Sequence, residues 1–241
     1  IKELRDRFFF TIGMLVLFRI GVQIPVPGVN LVRLLEMTKG ASGGGFADFL
    51  NLFTGGAREN ASIFSLGVMP YITAMIILQL LKSVVPSLDQ MLKEGPEGRR
   101  KFQQYGRYGT VLVTLIQGII FAQGLVESNK AYGFLTIGDI PFILIFTLSV
   151  TAGTLILMWM GEQITERGIG NGISLIIMVG IIARLPHSLF RLFIGVEKGA
   201  TDPLNLLVVL FLFFIIIGFV VFEELGMRKI PIQHTGRGGG S

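Results

Sequence analysis

Four long apolar runs, separated by polar stretches, are the most regular feature of this chain. They contain no Asp, Glu, Lys or Arg, and they cover residues 61–81, 108–126, 140–161 and 204–222. Each run is close to the roughly 20 residues that a helix needs to cross the apolar core of a bilayer. The pattern therefore predicts four membrane-spanning helices before any individual residue is considered.

Two weaker apolar segments add to these runs. Residues 8–24 carry Arg19 near one end, and residues 168–183 are short but are lengthened if Arg184 extends its charged group toward the interface. We therefore expect six spanning helices. Their predicted bounds are 8–24, 61–81, 108–126, 140–161, 171–190 and 204–223.

The composition agrees with a membrane protein. Hydrophobic residues make up 51% of the chain, charged residues make up 15%, and the mean hydropathy is +0.68. These values lie outside the range of ordinary soluble domains. The predicted fold class is an all-α integral membrane protein, a polytopic bundle of helices.

The distribution of Lys and Arg predicts the orientation of the chain. If the N-terminus is cytosolic, thirteen basic residues lie on the inner side and seven on the outer side, as the positive-inside rule favours. The loop at 25–60 is then external, and the predicted cytosolic segments are 1–7, 82–107, 161–170 and 224–237. The net charge of +5 follows from this topology and needs no nucleic acid to explain it.

No catalytic or metal-binding pattern occurs in the sequence. There is no cysteine, there is no HExxH motif, and the two histidines, His187 and His234, lie at or beyond predicted helix ends. The alternating glycines of "GIGNG" do not continue as a dinucleotide-binding fingerprint, since Ile173 takes the next required position. We therefore expect no enzyme, no cofactor and no metal.

A short amphipathic segment lies in the predicted external loop and is bounded by glycines on both sides. A helix of about eight residues is roughly 12 Å long and cannot span a bilayer. Two interpretations stay open, an interfacial helix lying on the membrane and a re-entrant helix that moves on glycine hinges inside the protein. The residues that share its apolar face by helical spacing are Phe46, Phe49, Leu50 and Phe53.

Basic and aromatic residues are mixed in the predicted cytosolic stretch "KEGPEGRRKFQQYGRYG", residues 93–109. Pro96, flanked by Gly95 and Gly98, predicts a break in any helix at this point. The basic residues of the stretch either bind an acidic lipid, RNA or protein surface, or serve only as a positive-inside anchor. Those nearest the aromatic side chains are Arg99, Arg100, Lys101 and Arg107.

Successive segments of the chain carry a resemblance to a known family. They are "ASIFSLGVMPYITAMIILQLL", "KEGPEGRRKFQQYGRYGT", "MWMGEQITERGIGNGIS" and "MRKIPIQ". In this order, with the "IPVPG" turn after the first span, they resemble the SecY family, the channel subunits of bacterial protein translocation. The resemblance covers residues 8–233 and implies half of an inverted-repeat channel, with the family's first six spanning helices. It ends at "HTGRGGGS", and we interpret residues 238–241 as a linker.

The resemblance also implies roles for particular residues. The short external helix would be a plug, and "TERGIGNG" would be a tight turn with Asn171 near the N-cap of the fifth span. The implied pore-ring residues are Val68 and Ile72 on the second span and Ile173 and Ile177 on the fifth. The implied lateral-gate residues are Thr73, Gln79 and Asn171. The implied docking residues for a motor or ribosome are Arg99, Arg100, Lys101, Arg107, Arg228 and Lys229.

Alternatives to these roles remain at this point. Without the resemblance, the aliphatic ring residues would be interpreted as ordinary helix packing. A secondary transporter of small solutes is also built from inverted repeats, but it is expected to carry several polar groups inside its spans, where this chain offers only Arg19. A structural scaffold whose loops act only as adaptors is a third interpretation.

The function implied by the resemblance is a protein-conducting channel in the bacterial inner membrane. Such a channel passes unfolded secretory polypeptides across the membrane and releases signal or transmembrane helices sideways into the lipid bilayer. The implied partners are SecE and SecG subunits, the SecA motor ATPase, the translating ribosome, and the signal peptide of the nascent polypeptide.

Overall fold

The computed structural model describes residues 2–34, 54–197 and 202–226. These residues form helices joined by turns. The β-type pairing among the described residues consists of two isolated bridges, Pro25 with Ser62 and Val29 with Leu135. The all-α prediction is therefore confirmed. The helices are α1 (Lys2–Gly21), α2 (Met69–Val84), α3 (Pro86–Lys93), α4 (Pro96–Tyr132), α5 (Asp139–Arg167), α6 (Gly172–Glu197) and α7 (Pro203–Glu224).

Within these described ranges, fewer helices than the predicted six are long and apolar enough to cross a membrane. The pair formed by α2 and α3 bends by 102° and counts as one span only if its halves are taken together. α1 does not qualify, because its charged first turns and Arg19 leave a short apolar stretch between them. The four that qualify on their own are Pro96–Tyr132, Asp139–Arg167, Gly172–Glu197 and Leu207–Glu224.

The second predicted span, 61–81, becomes helical later than expected. The residues before Met69 form turns, and the helix continues to Val84. The Ser62 and Ser65 hydroxyls bond to nearby backbone groups, and such local bonds stabilise turns in competition with helix. A proline in the first turn of α2 then starts the helix, since its fixed φ suits that position.

The predicted break at Pro96 is confirmed, because α3 ends at Lys93 and a new helix begins at Pro96. Gly95 adopts a φ of +90° at the N-cap, and Pro96 opens α4, which continues for 37 residues to Tyr132. Proline is tolerated in a first turn because the N–H that it lacks has no partner there. The predicted cytosolic loop at 82–107 is therefore mostly helical, and the predicted span at 108–126 is the middle of a longer helix.

The turn between α5 and α6 is shorter than the predicted loop at 161–170, since four residues separate the two helices. Asn171 caps α6 as expected: its side-chain oxygen accepts a hydrogen bond from the Ser174 backbone N–H at 3.2 Å. Gly172 lies so close to α5 that an added Cβ would collide with the Gly161 carbonyl oxygen. These two glycines therefore allow the two helices to cross in backbone contact.

Two hydrophobic clusters hold the unit Ile1–Leu185 together. α5 contributes to both clusters, which makes it the central helix of this unit. The first cluster joins α1, α5, α6 and the segment before α2, and it includes Phe18, Phe64, Leu157 and Ile176. The second cluster joins α4 and α5, and it includes Ala122, Phe142 and Phe146.

The second unit, Pro186–Ser241, contains the end of α6 and all of α7. α7 begins after Asp202, whose carboxylate accepts a hydrogen bond from the Leu204 backbone N–H at 3.0 Å. Its large apolar side chains from position 207 onward are exposed on all sides of the helix. In a membrane, a helix with such a surface faces lipid or packs on another helix.

Candidate functional site

The first pair of implied pore-ring residues lies where α2 begins. Val68 has 3% of its surface exposed, and it precedes α2 as the N-cap residue instead of lying on the helix. The prediction that Val68 lies on the second spanning helix is therefore wrong by one turn at most, because Pro70 in the first turn sets the start of α2. Ile72 lies one turn further along, and its backbone N–H donates to the Val68 carbonyl at 3.1 Å.

The second pair lies one turn apart at the start of α6. Ile173 and Ile177 are half-buried, and both pack against the first hydrophobic cluster, which also contains Val68 and contacts Ile72. Ile173 reaches this position because its side chain lies directly over Gly161 of α5. The four ring residues therefore lie beside one cluster. Ile177 also lines a shallow apolar cavity of about 350 Å³ with Ser174, Met178, Ile181 and Ile182.

The implied lateral-gate residues do not form one cluster. Thr73 is half-buried on α2, Gln79 is exposed further along that helix, and Asn171 is exposed where it caps α6. Within the described part of the chain, no hydrogen bond joins any two of them. Gln79 lines an open cavity of about 860 Å³ at the bend between α2 and α3, and the other lining residues are Lys82, Ser83, Pro86, Asp89, Leu92 and Phe102.

Charged side chains give this cavity at the bend a mixed polarity. Lys93 Nζ lies 2.6 Å from the Asp89 carboxylate, and Lys82 Nζ lies 3.8 Å from it. The hydrogen bond from Lys93 lowers the pKa of Asp89, and the positive charges act in the same direction. Because these side chains are exposed, the pairs contribute little to stability.

The implied docking residues on α4 are all exposed, and one of them is also paired. Arg99, Arg100 and Lys101 lie on the first turns of α4 and are accessible to a partner. The Arg107 side chain is 46% exposed and pairs with Glu162: its Nε donates to Glu162 Oε1 at 3.1 Å and its Nη2 donates to Oε2 at 2.8 Å. This bidentate pair joins α4 to α5. The remaining implied docking residues, Arg228 and Lys229, lie outside the described residues.

The implied plug residues also lie outside the described part of the chain: Phe46, Phe49, Leu50 and Phe53. The segment 54–68, between the implied plug residues and α2, is described, and it is held by contacts that the sequence did not predict. Arg19 of α1 donates to the Gly55 carbonyl at 3.1 Å, and Arg184 of α6 forms an ion pair with Glu59.

A further basic residue holds the same segment. The Arg58 guanidinium lies 4.2 Å from the centre of the Phe121 ring on α4, which is a cation–π contact. One signal for these contacts was present in the sequence, because arginines at the edge of apolar runs need polar or aromatic partners. The sequence could not identify those partners, since they lie far away along the chain.

Comparisons with known proteins identify the family of this chain. The SecY family model matches residues 62–241. The chain belongs to the SecY family. Its relatives include the protein translocase subunits SecY of Vibrio cholerae, 45% identical over 240 residues, and of Escherichia coli K12, 45% identical over 238 residues. The SecY of Thermotoga maritima is 42% identical over 247 residues.

The family relationship covers nearly all of this chain but only part of its relatives. Each of these alignments includes 98% of the chain, and it includes 53% of the first two relatives and 55% of the third. The chain therefore spans about half the length of the curated relatives that it matches. The transporter alternative is not favoured, because the relatives are translocase subunits.

Solved structures support the fold. The chain is similar to Sec61 in the canine ribosome-channel complex, with a TM-score of 0.68, 22% identity, and coverage of 96% of this chain and 50% of that one. A structure of a protein conducting channel gives a TM-score of 0.69 at 22% identity, with coverage of 95% and 49%. The predicted fold class, an all-α membrane protein, is confirmed by these similarities.

Proposed function

We propose that this chain is the N-terminal half of a channel that passes unfolded secretory polypeptides across a membrane. The observation that carries the proposal is that Val68 belongs to the same hydrophobic cluster against which Ile72, Ile173 and Ile177 pack. Family membership over nearly the whole chain supports it, since the relatives are named as translocase subunits.

An aliphatic constriction suits a channel whose substrates differ in sequence. Branched apolar side chains leave a narrow pore without water when it is empty, and they yield around many sequences when a chain passes. Ile72, Ile173 and Ile177 are half-buried in this half of the channel, so each has a free side that is able to face a pore. The subunit breaks no bond in this mechanism, and a motor or chain elongation supplies the energy.

Release of apolar helices into lipid requires an opening on one side of the channel. Signal and transmembrane helices are apolar and partition into the bilayer when such an opening is present. We assign one edge of this gate to α2, with Thr73 and Gln79, and the other to the start of α6, with Asn171. The exposed apolar residues Ile76, Ile77 and Leu80 on α2 support the assignment, because they offer a surface for such a helix.

The plug and the partners complete the proposal. We assign the glycine-bounded segment 46–53 as the plug that closes the pore. Arg99, Arg100 and Lys101 would dock SecA or the ribosome, and the SecE and SecG subunits would pack against the exposed apolar helices. The protein would lie in the bacterial inner membrane with its N-terminus in the cytosol, as the basic start of α1 favours.

The ring is tested with Ile72→Gly and Ile177→Gly together in the full-length channel, reconstituted in liposomes. We expect ion conductance without a substrate chain, because the apolar constriction widens and stays wet. The variant should be obtained at near-normal yield, since half-buried residues cost less to truncate than core residues, which cost about 2–5 kcal/mol each. Ion flux and the yield of folded protein are the measurements.

A matched control is offered by α4. Ile116→Gly with Ile120→Gly changes two isoleucines that are 53% and 64% exposed, at the same cost in helix propensity of about 1 kcal/mol per glycine. This control channel should remain ion-tight. If the ring variant is unstable and its surviving molecules are as tight as the control, the four residues are ordinary packing residues and the proposal fails.

A further inference from the structure

Residues 54–59 are held between α1 and α6 by three side chains, which we name the clasp: Arg19, Glu59 and Arg184. Arg19 Nη1 donates to the Gly55 carbonyl at 3.1 Å, and the Arg184 guanidinium pairs with the Glu59 carboxylate. The pair links positions 125 residues apart in the chain. The clasp therefore ties two distant helices to one short segment.

Backbone contact reinforces the clasp. A Cβ added to Gly55 would lie 3.0 Å from the Cα of Gly180 on α6, and Gly55 has a φ of +63°. A Cβ added to Gly56, whose φ is +91°, would lie 3.4 Å from Arg184 Nε. Both positions combine a left-handed conformation with a close neighbour, and glycine suits both conditions. The segment thus lies directly on α6 at the level of the ion pair.

A stiff connection joins the clasp to the start of α2. The Ala57 carbonyl accepts hydrogen bonds from the Ser62 backbone N–H at 2.9 Å and from the Ser65 hydroxyl at 3.2 Å. Thr154 of α5 donates to the Gly67 carbonyl at 3.4 Å. Ala57 and the residues from Ser62 to Val68 are also mostly buried. These bonds link the residues beside Glu59 to the segment that leads to Val68.

The other side of the clasp leads to the second ring pair. Arg184 lies seven residues after Ile177 on the same helix. The clasp and the crossing at Gly161 and Gly172 therefore hold α6 at two points, one on each side of Ile173 and Ile177. Both ring pairs are therefore connected to the same ion pair, one through α6 and the other through the hydrogen-bonded segment before α2.

We infer that the clasp positions the two pairs of pore-ring residues, one beside α2 and one on α6, against each other and keeps the empty pore sealed. This inference rests on the proposed function of the ring. The Arg184 and Glu59 side chains are 23% and 38% exposed, so the pair is partly shielded from water and from salt. Loss of either charge breaks this ion pair and allows α6 to separate from the segment, which loosens the ring.

The test uses Glu59→Gln, Arg184→Gln, and the exchanged pair Glu59→Arg with Arg184→Glu, each in the full-length channel in liposomes. We expect each single variant to raise the leak of chloride through the empty channel several-fold. The exchanged pair should restore a tight channel, because it re-forms the ion pair with the charges reversed. Single variants as tight as the parent would overturn the inference, and so would an exchanged pair that leaks like them.

Two controls separate the clasp from other effects. Lys130→Gln removes a charge from an exposed pair with Glu127 on α4, and this variant should not leak. Ile72→Gly with Ile177→Gly tests the ring itself. If this ring variant leaks and Arg184→Gln does not, the inferred role of the clasp is wrong, but the proposed function as a channel is still supported. If the ring variant is tight, the proposed function fails. If neither single variant nor the exchanged pair inserts, the pair is needed for folding and the inference is overturned.

A second measurement follows the clasp without ion flux. These 241 residues contain no cysteine, so Glu59→Cys and Arg184→Cys introduce the only thiols of this half, and any cysteine elsewhere in the full-length channel is replaced by serine. A short bifunctional thiol reagent should join them in the resting channel and return the leaky double variant to a tight state. Cross-linking that leaves the leak unchanged would show that this contact does not seal the pore.

Discussion

Arginines of this chain have different roles because they meet different partners. Arg99 and Arg100 are exposed, whereas Arg107 on the same helix forms a bidentate pair with Glu162 of α5. Composition and spacing treat all three alike as one basic stretch. Distance along α4 separates them, since residues seven or eight positions apart lie on similar sides of a helix but about 10–12 Å apart along its axis.

The exposed arginines carry the prediction for docking. Arg99→Glu with Arg100→Glu should weaken binding of the SecA motor or the ribosome by roughly tenfold or more, because charge reversal opposes an acidic surface. The loss should be largest at low salt, where screening is weakest. Affinity measured at several salt concentrations checks it. The control variant Lys130→Glu, an exposed change near the other end of α4, should bind normally. If the double variant also binds normally, these arginines serve only as a positive-inside anchor.

The helices owe their close packing to a small number of glycines. Gly172 at the start of α6 has no room for a side chain beside Gly161, whereas a methyl group added at Gly124 of α4 would meet nothing within 4 Å. Both glycines lie in helices, so they differ chiefly in their tertiary surroundings. This contrast separates packing from helix propensity.

We predict opposite effects for alanine at these two glycines. Gly172→Ala should lower the free energy of unfolding by about 1–3 kcal/mol, because the new methyl group collides with the backbone of α5. Gly124→Ala should raise it by up to about 1 kcal/mol, since alanine is the better helix former. Thermal unfolding of the two purified variants in detergent is the measurement. Equal stability of the two would mean that α5 and α6 do not cross in backbone contact.

Helix starts show how local chemistry and packing combine. Pro70 and Pro96 both open helices, and in each case a glycine or a turn precedes them. The long α4 that follows Pro96 has small residues along its buried face, including Gly106, Thr110 and Gly118, which lets α2 and α5 approach closely. Small residues at such contacts are typical of membrane helices.

At the scale of the whole molecule, the distribution of charge predicts how the chain is oriented in the membrane. The excess of basic residues on one side predicts that Arg100 lies in the cytosol and Lys198 outside. Cysteines introduced by Arg100→Cys and Lys198→Cys should react with a membrane-impermeant thiol reagent from opposite faces of sealed vesicles. Labelling of both from the same face would contradict the topology, and detergent-opened vesicles provide the control for full reactivity.

Long charge-free runs were sufficient to predict spans within α4, α5 and α7, and a weaker apolar segment predicted α6, because the bilayer demands about 20 apolar residues in each span and leaves a signal that needs no knowledge of neighbours. The order of the sequence motifs was likewise sufficient to predict the family. The cap at Asn171 was also predictable, since a capping side chain bonds to a backbone group three residues away in the chain. All of these features depend on interactions within one helix or between a helix and its solvent.

Other features depended on contacts between distant parts of the chain. The pairs of Arg107 with Glu162 and of Arg184 with Glu59 join residues separated by 55 and 125 positions, and no local pattern distinguishes their members from free charges. The burial of Val68 beside α5 and α6 likewise required the packed structure. Tertiary structure decided these features because the energy of a charge or an apolar side chain depends on what surrounds it, and folding alone brings those surroundings together.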